Sequence, residues 1–85
     1  MIVRRDSPTH DRPVDGIVLA FDREEGVGAI KAPETPGGCW VHHSMIVGSG
    51  FRELRPGEHV LFTFERPRDG QDGYEYRAVR VWREG

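Results

Sequence analysis

The sequence holds a single cysteine, Cys39, a single lysine, Lys31, and no apolar run longer than Ile17 to Phe21. One cysteine excludes an internal disulfide framework and a four-cysteine zinc site. Five apolar residues in a row fall far short of the roughly 20 that a membrane-spanning helix needs, so no membrane association is expected. Arg4 and Arg5 near the start are not followed by a hydrophobic stretch, so no secretory signal is expected either. A basic excess is also missing. Twelve basic residues, eleven of them arginine, stand against fourteen acidic ones, a net charge of −2. Proteins that grip duplex DNA mainly by charge carry a strong basic excess, so general electrostatic binding is not the expected main activity. These absences together predict a soluble cytoplasmic protein.

What is present is one small domain's worth of β pattern. At 85 residues the chain has room for one modest core and not for two. Hydrophobic residues make up 36% and charged residues 31%, a polar chain that still carries apolar blocks. Residues 1–13 contain charges, two prolines and only Ile2 and Val3 as large apolar residues, and are read as a flexible arm. From Val14 onward short apolar runs alternate with glycine and proline clusters, which predicts an all-β fold of five strands.

The predicted strands are Gly16–Phe21, Val27–Ala32, Cys39–His43, His59–Glu65 and Tyr74–Trp82. Charged Asp22–Gly26, Pro33 with Pro36–Gly38, a long connection ending at Pro56-Gly57, and polar Arg66–Gly73 separate them. In the fourth strand Val60, Phe62 and Phe64 alternate inward; in the fifth, Val79 and Val81 form the expected inward pair. Five short antiparallel strands over residues 14–82 suit a closed barrel, with 83–85 as a tail, because closure removes exposed sheet edges.

The ordered set Gly16-Ile17-Val18 with Phe21, then Glu25-Gly26-Val27-Gly28-Ala29-Ile30, then Trp40-Val41-His42-His43-Ser44 resembles a cold shock domain. Gly50–Glu65 and the closing Ala78-Val79-Arg80-Val81 extend the resemblance across all five strands. It implies an OB-type barrel that binds single-stranded RNA or DNA, without a cofactor and without catalysing a reaction. It also implies a role as an RNA chaperone or in modulating transcription. The residues it points to are Phe21, Lys31, Trp40, His42, His43 and Phe51.

The chemistry of that activity is stacking of unpaired bases on exposed rings, with cations following the phosphates. If Cys39 and Val41 point inward, Trp40 and His42 point outward together. On the second strand Gly28 and Ile30 face the core, leaving Val27 and Ala29 on the binding side with open space above Ala20 and Ala29. Gly28 lets a base or a neighbouring strand approach closely. Against the family's pattern, Ala20, Val27 and Ala29 stand where rings are usual, Leu19 and Glu25 where lysines are usual, and His43 replaces a phenylalanine. At roughly 1–3 kcal/mol per stacked base, three lost rings predict weak, sequence-tolerant binding.

Other readings of the same residues carry less. Cys39, His42 and His43 are unsuited to one zinc, because an extended strand separates Cys39 from His43 by roughly 13 Å and points His42 and His43 to opposite faces. Cys39 with His42, or Ser44 with His43, lacks a third orienting group for nucleophilic catalysis. Gly26-Val27-Gly28 is followed by neither Lys-Ser/Thr nor a helix, so it is not a phosphate loop. Arginines 66, 68, 77, 80 and 83 interleave with Asp69, Asp72, Glu75 and Glu84 and read as a solvated mixed-charge surface. The competing function is a degenerate barrel reused as a protein-interaction or weak homodimerisation module, with Leu19, Val27 and Ala29 as its apolar patch.

Overall fold

A computed structural model of the chain describes residues 9–48 and 53–84. Five strands form: β1 (Thr9–Asp22), β2 (Val27–Lys31), β3 (Cys39–His42), β4 (His59–Glu65) and β5 (Tyr76–Arg83). They close into a barrel in the order β1-β2-β3-β5-β4, with β1 also paired to β4. Four of the five pairings are antiparallel. The exception is β3 with β5, which run parallel, Cys39 opposite Tyr76 and Trp40 opposite Arg77. The barrel is therefore mixed where the sequence suggested purely antiparallel strands.

Alternation builds the core as the sequence implies. Val18, Ile30, Val41, Val60, Phe62 and Val81 are all at most 1% exposed, and Phe64 packs beside Phe62 with ring centroids 5.9 Å apart. The turn after β1 is tied by Asp22, whose Oδ1 accepts from the Glu24 and Glu25 amides at 2.9 and 3.2 Å. The reversal before β4 closes with the Glu58 amide donating to the Arg55 carbonyl at 3.0 Å around Pro56-Gly57.

Two expectations need correction. β1 begins at Thr9, inside the segment read as an arm. Thr9 and His10 pair with Glu65 and Phe64, and the register then slips before Val14 meets Phe62. Pro13 falls in that slip, where no ladder hydrogen bond is required of it. Val79 is 39% exposed, not inward. The register jumps between Thr63 and Phe64, which face Arg80 and Ala78, so Val79 is the bulged residue and Ala78 takes the inward place. The connection after β3 also contributes to the core, through Ile46 and Leu54, 3% and 2% exposed.

Among the described residues no helix is long and apolar enough to cross a membrane. Cys39 is fully buried, and desolvation pushes its thiol up to about 12.

Candidate functional site

The strand registers place one row of residues across the outer face of the barrel. Ala20 on β1 faces Ala29 on β2, Ala29 faces Trp40 on β3, Trp40 faces Arg77 on β5, and Arg77 faces Glu65 on β4. Cys39 and Val41, on either side of Trp40, are buried in the core. Trp40 and His42 therefore share the outer face, both half-buried, their rings near parallel at 25° with centroids 6.0 Å apart. Two residues along β2 from Ala29, Lys31 occupies the same face and is exposed.

His43 joins this group by a route that strand geometry does not predict. The strand ends at His42, and the chain turns into a short 3-10 helix over His43–Met45. His42 caps it: Nδ1 accepts from the Ser44 amide at 3.2 Å and lies 2.8 Å from the Ser44 hydroxyl. Because an amide can only donate, Nδ1 is the acceptor and the neutral ring carries its proton on Nε2. The turn swings His43 beside His42, ring centroids 4.3 Å apart, instead of to the opposite face. Gly26 makes room for it. A side chain there would place Cβ 2.3 Å from His43 Cδ2, and its φ of 71° favours glycine independently.

The other expected site residues separate from the cluster. Phe21 packs against the hydrophobic core on the side of Gly28, where a Cβ would lie 2.8 Å from its Cδ1. The same Cβ would be 2.3 Å from the Ala20 carbonyl oxygen, so Gly28 serves the close approach of β1. Phe51 lies outside the described residues. Ala20 is exposed, but Ala29 is only 3% exposed, enclosed between its neighbours on β1 and β3 where open space was expected. The apolar patch shifts accordingly: Leu19, the extra residue at the β1 bulge, is 50% exposed and Ile17 is 41% exposed, whereas Val27 is half-buried.

Several arginines are committed to carboxylates. Arg23 pairs with Glu53 at 2.9 Å, Arg83 with Glu58 at 2.7 Å, Arg66 with Glu75, and Arg77 with Glu65. Arg77 and Glu65 were absent from the sequence-based site because only the parallel β3–β5 register sets Arg77 beside Trp40. The face thus offers one indole, two imidazoles, an exposed lysine and an arginine held by a carboxylate. Such a surface can stack planar groups and exchange hydrogen bonds with their edges, with little free positive charge. Among the described residues no cluster of three His, Cys, Asp or Glu side chains is arranged to hold a metal ion.

Comparison with known proteins agrees with the barrel and its residue order. Residues 14–83 match the family model described as the 'Cold-shock' DNA-binding domain. The Major cold shock protein of Micrococcus luteus is 34% identical over 64 residues, covering 75% of this chain and 91% of the relative. Cold shock protein CapB of Pseudomonas syringae pv. tomato is 35% identical over 66 residues, 78% of this chain and 90% of the relative. Cold shock-like protein CspC of Escherichia coli K12 is 35% identical over 60 residues, 71% and 83% respectively.

Proposed function

Because the chain belongs to the cold shock domain family, we propose that it binds single-stranded RNA or DNA on the outer face of β2 and β3, acting as a binding protein without catalysis. The observation that carries this reading is the half-buried Trp40, stacked beside His42 and opposite Arg77, with exposed Lys31 further along the same face of β2. A base stacks on Trp40; His42 donates from Nε2 to a base or phosphate oxygen; His43 extends the ring surface; Lys31 meets the backbone of the strand. Stacking of this kind tolerates any base.

Two features of the face support weak binding. Ala20 and Ala29 supply no rings beside Trp40, and the arginines nearby are neutralised by acidic partners. Weak, tolerant binding suits keeping RNA unfolded, or modulating transcription, better than marking one sequence. The unpaired Cys39 thiol fits the reducing cytoplasm.

The test uses a Trp82→Phe variant, in which all tryptophan emission comes from Trp40. Added single-stranded oligonucleotide is expected to quench that emission, and Trp40→Ala is expected to lower affinity by about 1–3 kcal/mol. Unaltered Trp40 emission at saturating oligonucleotide contradicts the proposal. A second reading, weak self-association, is favoured by the exposed pair Ile17 and Leu19, which line a groove with Pro33. Sedimentation of the full chain separates it: a concentration-dependent dimer lost in Leu19→Asp supports it, and a monomer at every concentration rejects it.

A further inference from the structure

On the side of Trp40 away from β2, a groove of about 500 Å³ is lined by Trp40, His42, Glu65, Gln71, Arg77 and Val79, among others. Arg77 donates from Nε to Glu65 Oε2 at 2.8 Å and from Nη2 to the same oxygen. Its Nη1 donates to Gln71 Oε1 at 3.2 Å. A guanidinium carries five N–H groups, so one remains on each terminal nitrogen. Among the described residues, Oε1 of Glu65 accepts no hydrogen bond. The Arg77 and Glu65 side chains are 32% and 28% exposed, reachable yet held in place by each other. Two charged donors and one charged acceptor therefore stand together in the groove beside the Trp40 ring.

We infer that this groove reads one base stacked on Trp40, and that the base it selects is guanine. Guanine presents N7 and O6 side by side as acceptors, and a bidentate arginine fork on that pair is the commonest specific base contact. The neighbouring N1–H is a donor, which Glu65 Oε1 accepts. Adenine puts an amino group where O6 would be, and that group faces the Arg77 donors. Thymine and uracil carry two carbonyl acceptors, but N3–H stands between them, so they present no adjacent acceptor pair to the fork. Cytosine matches only when turned over, and its single ring overlaps Trp40 less when its edge must reach a strand about 4.8 Å away. A phosphate, the other usual partner of an arginine fork, is repelled by Glu65. In a duplex the N1–H is already paired, so this contact requires a single strand. The inference rests on the proposed single-strand binding and adds one selective position to otherwise tolerant stacking.

The test titrates the full chain with end-labelled thymidine heptamers carrying a central G, A, C or T, read by fluorescence anisotropy at low salt. The G strand is expected to bind about tenfold more tightly than the A strand. In Glu65→Ala, and separately in Arg77→Lys, which keeps the charge but not the fork, that preference is expected to fall to within about twofold. If Glu65→Ala melts below the assay temperature, Arg77→Lys carries the test. Equal affinities for the four strands, a preference for C, or a G preference that survives in Arg77→Lys overturns the guanine contact and leaves single-strand binding standing. Binding to none of the four overturns both.

Discussion

Replacing Ala20 by tryptophan adds a ring to the outer row that now carries only one. Ala20 is exposed and lies across Ala29 from Trp40, two strand spacings or about 9.6 Å away. A ring there has solvent above it, so the substitution itself costs no more than about 0.5 kcal/mol of stability. One more stacked base contributes about 1–3 kcal/mol, a gain in affinity on the order of 5- to 150-fold. Ala29→Phe is expected to behave differently although it stands in the same row. Its methyl is already 3% exposed, and inserting a ring there forces neighbours apart at about 1–3 kcal/mol. Thermal melts and anisotropy titrations of both variants with the same single-stranded oligonucleotide check the pair. Ala20→Trp should melt like the parent and bind more tightly, whereas Ala29→Phe should melt lower. An Ala20→Trp protein of unchanged stability and unchanged affinity refutes the stacking face.

Two further outcomes follow from charge and burial. The folded Cys39 thiol is raised from an ordinary 9.0 to about 12, so the folded state holds its proton more tightly than the unfolded chain does. The stability this provides is complete below pH 9 and is lost as pH rises from 9 toward 12, a loss that Cys39→Ala should abolish in denaturant melts; native protein should also resist thiol alkylation until unfolded. With Arg23, Arg66, Arg77 and Arg83 paired to carboxylates, the dependence of binding on salt should be shallow, equivalent to about two or three phosphate contacts. A steep slope in titrations across salt concentrations would show that these ion pairs open to meet phosphates.

Where alternation is unbroken, the sequence was enough. The span of β4 reads directly from Val60, Phe62 and Phe64, all buried, because a one-residue slip of register would turn all three out of the core. The same regularity put Trp40 and His42 outside and Cys39 and Val41 inside. Bulges are where that logic stops. Val79 belongs to an apolar pattern yet faces solvent, because the extra residue in β5 resets the parity at Ala78. Leu19 is displaced in the same way on β1. The long connection carried no periodicity to betray Ile46 and Leu54 as core. His43 lies beside His42 only because a local turn begins there. Arg77 and Glu65 are remote in sequence from Trp40, and the parallel pairing that gathers them has no local signature.

The central claim is that an unpaired strand is bound on the Trp40 face. Its most direct measurement compares the affinity of the full chain for one labelled oligonucleotide free and annealed to its complement, in the same buffer at low salt. Stacking on Trp40 needs bases released from their partners, so the single strand should bind at least about tenfold more tightly than the duplex. Equal affinity for the two forms, or tighter binding of the duplex, would contradict it.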